Sequence, residues 1–342
     1  MKLFDENRIY NFIHVEMSNK CNLECPMCPR VELLEKNFWT NKEDLSYNKF
    51  VKIFDPILNN CGKFFLSGNY SDPMTNKDIE KITDFILKGK NSKITIGSNG
   101  SLRSEKVWNN LGKKFKKHWE ETKRPSTVLF AIDGLEDTNH IYRINANWNK
   151  LMNNAKAFID GGGFAEWKFV LFEHNQHQVD EAEALSKKLG FKRFVKVISD
   201  RFADDEGNLS DKKLSIKRSK GEYDLEDFVK ESEEILCEAI DNNGIFVTEK
   251  GLVMPCCWTG NDFGYNIEIN NLKDRGINHL ISKYPDWKTN LNALNNNIIE
   301  VLKNPFWEDL ELLWELDSPK TCNRQCKKNL KHGIKIEKKF TN

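Results

Sequence analysis

Up to about residue 200, short runs of β-branched and aromatic residues alternate with longer stretches whose apolar positions recur every three or four. The runs Phe12–Ser18, Lys63–Gly68, Lys93–Gly100, Thr127–Gly134, Glu166–Asn175 and Phe191–Ser199 read as strands, each closing on a polar turn. The stretches 45–58, 76–89, 105–119, 148–161 and 178–190 between them have helical periodicity, and Gly161–Gly163 and Gly190 stand where helices stop. Strands alternating with crossover helices predict a parallel α/β sheet, with its polar turns gathered at the strands' C-terminal ends. That rim is where barrels and doubly wound sheets build their sites.

After Asp200 the pattern breaks into charged sequence as far as about Glu234, read as a linker with a helical end or, equally, as one long surface loop. Then come two short apolar runs joined by Thr248-Glu249-Lys250-Gly251, the signal of a β-hairpin, and a helix-like segment 305–317. Three regions are predicted: a core over 1–200, a linker over 201–234 and a small α+β extension over 235–342. No repeat of solenoid type is present.

With 52 Lys and Arg against 51 Asp and Glu, the net charge of +1 provides no global field for nucleic acid or anionic membrane. No secretory leader or long apolar span is recognised, so a cytoplasmic setting is expected. The basic C-terminal stretch 327–340 is expected to be a solvated tail, RNA contact being its alternative.

In a reducing compartment, clustered cysteines bind metals or do redox chemistry more often than they form disulfides. Nine cysteines fall into two groups and a single: Cys21, Cys25 and Cys28; Cys61; then Cys237, Cys256, Cys257, Cys322 and Cys326. The front three follow the first strand at Cys-x3-Cys-x2-Cys spacing, in a loop stiffened by Pro26 and Pro29. A closed zinc site takes four ligands, and this segment supplies three. His14 is the nearby candidate for a fourth, though strand alternation equally turns it elsewhere. A cubane iron–sulfur cluster on three thiolates keeps one iron open for a ligand.

The segment "CNLECPMC" after the first strand of a (β/α)6 pattern resembles the cluster loop of the radical S-adenosylmethionine (SAM) enzymes. That resemblance implies a partial TIM barrel and a [4Fe–4S] cluster whose open iron chelates SAM. Met27 stands where the family often has an aromatic residue. "SGNYSDP" takes the place of the family's Gly-Gly-Glu-Pro, with Gly68 matching and Asn69 replacing the glutamate. Ser98, Asn99 and Gly100 resemble the motif ending strand three. "AIDG" keeps Asp133, while Ala131 replaces a serine and offers no ribose contact. Arg143 and Asn175 sit where the family contacts SAM. Individually, each of these residues also reads as a turn-former or helix cap.

Cys237, Gly251 and Cys256, closed by Cys322 and Cys326, resemble the SPASM and Twitch extensions of some radical SAM enzymes. They imply one auxiliary [4Fe–4S] cluster, with Cys257 as an alternative to Cys256 and a zinc site on the same thiols as the plain reading. The family chemistry implied is reductive cleavage of SAM to a 5′-deoxyadenosyl radical, fed by a flavodoxin- or ferredoxin-type reductant. Hydrogen abstraction from a small molecule or peptide follows, with the auxiliary cluster taking an electron in a dehydrogenation or crosslink. The alternatives are epimerisation with Cys61 or Cys257 as hydrogen donor, RNA modification, and a non-catalytic iron–sulfur or zinc protein. Tyr70, His140, Glu173, His174 and Trp258 are candidate pocket residues, each equally readable as surface or packing.

Overall fold

In the computed structural model, residues 8–35, 42–202, 216–224, 232, 234–266, 274–327 and 334–340 are described. Strands β1 (Tyr10–Val15), β2 (Cys61–Ser67), β3 (Lys93–Ser98), β4 (Thr127–Ala131), β5 (Phe164–Leu171) and β6 (Arg193–Ile198) pair in chain order, all parallel. This is the expected (β/α)6 arrangement of a partial TIM barrel.

The predicted extension does not stand apart from that sheet. Strand β7 (Gly244–Val247) runs parallel beside β1 and turns back through Gly251, at φ 85°, into β8 (Val253–Met254). At the other edge, β9 (Ile334–Lys339) pairs antiparallel with β6, giving the order β8-β7-β1-β2-β3-β4-β5-β6-β9. Part of the basic C-terminal stretch, expected as a solvated tail, is therefore a strand. Of the segment expected as a linker, Arg218 forms a bridge with Phe172 of the core, and 203–215, 225–231 and 233 lie outside the described residues.

Strand periodicity divides the side chains into two unlike faces. In β5, Ala165, Trp167 and Phe169 face outward into the packed core, whereas Glu166 and Lys168 line an interior cavity. Phe64, Ile96, Phe130 and Phe194 repeat the outward pattern and meet Phe50, Phe54, Trp108 and Phe158 from the surrounding helices. Each such fully buried ring contributes roughly 1.5–3 kcal/mol relative to exposure. The apolar layer thus lies between sheet and helices, and the barrel's inside carries charged and polar groups beside Phe12, Phe65, Leu129, Val195 and Val197.

Two helices on that outer face, Glu105–Thr122 and Trp148–Asp160, come together through glycine. A Cβ on Gly112 would lie 2.2 Å from Phe158 O, and one on Gly161 2.4 Å from Asn109 O. Gly→Ala in a helix interior ordinarily stabilises by roughly 1 kcal/mol. Here contact with backbone reverses the sign: Gly112→Ala is expected to destabilise by about 1–3 kcal/mol, read as a lowered urea midpoint. An unchanged or raised midpoint contradicts this packing.

Candidate functional site at the barrel rim

The rim is built from loops that grip one another. Glu16, directly after β1, is fully buried and accepts hydrogen bonds from Asn69 N at 2.7 Å and Ser71 Oγ at 2.5 Å. It therefore fastens the loop after β2 to the end of β1. Burial, with Glu249 nearby, pushes its carboxyl up to about 8, against hydrogen bonds that pull the other way. Gly68 is required in that loop, because a Cβ there would lie 2.0 Å from Ser71 O. Asp72, also buried, accepts from Ser98 Oγ at 3.0 Å, Asn99 N at 2.8 Å and Met74 N at 2.9 Å. Ser98 and Asn99 thus serve first to tie the β2 and β3 ends together.

The cysteine loop is seated against these ends. Asn99 Nδ2 donates to Asn22 Oδ1 at 2.9 Å and approaches Cys21 Sγ at 3.8 Å. Cys21, Cys25 and Cys28 join an apolar cluster with Leu23, Met27, Tyr142 and Phe172. Burial raises the Cys21 thiol to about 12 and raises that of Cys25 as well. Such thiols bind as thiolates only where cationic charge compensates them.

Three guanidiniums supply charge at this loop. Arg143 Nε donates to Asp133 at 2.6 Å while its Nη1 lies 3.8 Å from Cys25 Sγ. Arg30 Nη2 donates to Leu23 O at 2.5 Å, and Arg201 Nη1 donates to Met27 O. Arg30 and Arg201 had not been singled out in the sequence; Arg30 was legible as a cation two residues beyond Cys28, whereas nothing local marks Arg201. Asp133 also accepts from Val170 N at 2.7 Å. The Asn175 amide is committed to backbone, donating to Asp133 O and Val170 O and accepting from Phe172 N. His14 does not join the thiols: its Nε2 donates to Ser67 O at 2.6 Å, and burial lowers its imidazole to about 4.

Behind the rim lies a cavity of about 1040 Å3, lined by Met27, Cys28, Gly68, Asn69 and the inward residues of all six parallel strands. Of the candidate pocket residues, Trp258 lines it. Tyr70 is buried beneath Tyr265, with ring centroids 4.4 Å apart. His140 is exposed, Glu173 pairs with Lys217 and Lys220 at the surface, and His174 stacks on Phe172. Cys61 begins β2 at the opposite end of the strand from the rim, buried with its thiol donating to Ile57 O at 3.3 Å.

A second cavity is lined by Cys237, Cys256, Cys322 and Cys326 together. Cys257 is absent from its wall; it opens the helix Cys257–Asn261 and lies against Asn69 instead. Burial raises Cys256 to about 12 and Cys322 well above its ordinary value, the neighbouring thiols adding to the effect. Gln325 Oε1 is buried against this cavity without a hydrogen-bond partner, a polar group that an empty apolar void would penalise. Trp258 borders both cavities. Among the described residues no three thiol, imidazole or carboxylate groups are drawn together as around a single metal ion. Four thiols lining one cavity are a donor set that either a cubane cluster or a single zinc ion takes.

No family model matches the chain, and no curated protein does. Solved structures do. Streptococcus suis SuiB matches with a TM-score of 0.55 at 15% identity, over 86% of this chain and 66% of SuiB; the same protein bound to S-adenosylmethionine matches at 0.54. The chain thus spans just under two thirds of SuiB. Native anSMEcpe with bound AdoMet matches with a TM-score of 0.56 at 15% identity, over 89% of this chain and 84% of that one. With six parallel strands, a thiol-bearing loop after the first and these neighbours, the chain has the fold of the radical SAM enzymes.

Proposed function

We propose that the chain is a radical SAM enzyme acting on a small molecule or a peptide. The observation that carries this is the seating of Cys21, Cys25 and Cys28 among three guanidiniums at the mouth of the barrel cavity. Cys21, Cys25 and Cys28 would hold an open [4Fe–4S] cluster, and Cys237, Cys256, Cys322 and Cys326 a saturated auxiliary one in a SPASM/Twitch-like extension over 235–342. When bound, the first supplies the electron that splits SAM into methionine and a 5′-deoxyadenosyl radical, and the second an acceptor for the electron that a dehydrogenation or crosslink leaves over.

The chain's own residues orient and shield. Arg143, held by Asp133, places positive charge beside Cys25, and Met27 covers the loop on the cavity side. Gly68 and Asn69, which line the cavity, would contact SAM, while Ser98, Asn99, Asp133 and Asn175 would hold the rim and Arg143 in place around it. The barrel wall keeps water and stray hydrogen donors from a carbon-centred radical. A peptide substrate draws support from two neighbours, SuiB bound to precursor peptide SuiA and anSMEcpe with Cp18Cys peptide, with TM-scores of 0.54 and 0.52. A flavodoxin- or ferredoxin-type protein would deliver the electron. No helix among the described residues is long and apolar enough to cross a membrane.

The test is anaerobic reconstitution with iron and sulfide analysis, and reductant-dependent release of 5′-deoxyadenosine from SAM. The parent is expected to hold about eight irons and a Cys21/Cys25/Cys28 triple alanine variant about four, with cleavage in the parent alone. Zinc in place of iron, or no cleavage under strong reduction, overturns the proposal.

A further inference from the structure

Inward positions of an ordinary parallel barrel are filled by branched apolar side chains stacked in layers. Here they hold charge. Seven Lys and Arg side chains line the cavity against five Asp and Glu. Two of those acids, Glu166 and Glu337, face the same Arg193, at 3.9 and 3.3 Å. Among the described residues, Lys93, Lys168 and Lys335 have no ion-pair partner, and Lys63 rests over the rings of Phe12 and Phe65, 5.5 and 5.7 Å from their centroids.

These ammoniums act on one another. Lys335, an exposed side chain that β9 places on the cavity wall, repels both Lys63 and Lys168 electrostatically, and Lys93 adds to the field at Lys63, against attraction from Glu166. Burial lowers Lys168 to about 8, with Asp133 opposing the shift. Lys63 and Lys168 are the two that burial depresses, and two desolvated ammoniums facing one void gain from an anion placed between them. Closer to the rim the lining turns apolar, with Met27, Leu129, Val195 and Val197.

We propose that the barrel cavity is a binding site for a small organic anion, its charged oxygens seated among Lys63, Lys168 and Lys335 and its carbon body lying toward the thiol rim. The shared chemistry is an anionic oxygen group, either a carboxylate or a phosphate ester. This deepens the functional reading above and rests on it in taking the cavity as the substrate chamber.

The test is calorimetric titration of the full-length reconstituted protein, without SAM, with succinate, glycerol 3-phosphate and glycerol. One or both anions are expected to bind and glycerol not to, the binding anion separating carboxylate from phosphate. Lys168→Gln and Lys335→Gln are each expected to weaken that binding by about tenfold or more. Lys156→Gln, at the surface beside Asp160, is expected to leave it unchanged. Because Lys168→Gln removes an unpaired charge, its thermal midpoint is expected to equal or exceed the parent's, so lost binding is not unfolding. Absence of binding by both anions, as in a merely hydrated polar lumen, overturns the inference, as does equal binding in both lysine variants. SAM cleavage in the same preparation separates the two readings. Cleavage without anion binding overturns this inference alone, and anion binding without cleavage overturns the radical reading alone.

Discussion

Replacing Cys256 with Ser is expected to remove about four irons from the reconstituted protein, while Cys257→Ser removes none. The two residues are adjacent, yet the backbone separates them. Cys256 is extended, at φ −145° and ψ 168°, and caps the helix that Cys257 opens, so their side chains leave the chain on different sides. The Cys256 sulfur lies 3.5 Å from Thr259 Oγ1 on the wall it shares with Cys237, Cys322 and Cys326. Cys257 is buried toward Asn69, across from that cavity. Iron and sulfide content of the two single variants, each beside the front triple variant, decides the assignment. Iron lost with Cys257 and kept with Cys256 reverses it and makes the rear cavity something other than a cluster site.

The second large effect is on stability. Glu16 has an ordinary value of 4.5 and is held at about 8 in the folded chain, chiefly by burial. Between these values the unfolded chain has released the proton and the folded chain retains it. The stability that this group contributes is therefore complete below 4.5 and is lost as pH rises toward 8. Relative to Glu16→Gln, which has no proton to release, the parent is expected to lose up to about 1.4 kcal/mol per pH unit across that window. Above 8 the two curves run parallel. Urea unfolding of both proteins at intervals from pH 4.5 to 9 measures this difference, and titrating groups remote from Glu16 cancel. Parallel curves throughout mean that Glu16 ionises as freely in the folded chain as in water. Glutamine keeps an oxygen for Asn69 N, so the loop after β2 retains its principal tie.

What was legible in the sequence follows from the range of the interactions. The six parallel strands announced themselves because alternation and crossover helices are local patterns, and the front cysteines because their spacing lies within one loop. The hairpin around Gly251 was local too. The pairing of β7 with β1 and of β9 with β6 joins segments more than a hundred residues apart, and no local pattern encodes it. Arg201 reaches Met27 across a similar separation, so its place beside the thiol loop was invisible. The lysines of the cavity were not singled out, for a different reason. Lys63, Lys93 and Lys168 occupy the polar half of each alternation, which in a sheet with one solvated face points to water; closing the sheet turns that half inward. Asn69, Ser98 and Asn175 were picked out by position, and the structure assigns their side chains or backbone hydrogen bonds to holding the rim together.

The outermost strands of the sheet, β8 and β9, both come from the last third of the chain. During synthesis the six parallel strands are therefore complete while both of their flanks still present unpaired backbone N–H and C=O groups. The nascent chain is most prone to pair with its neighbours during that interval, and the exposure ends only when residues 334–339 emerge and close the β6 side with a strand rich in lysine, which resists further addition.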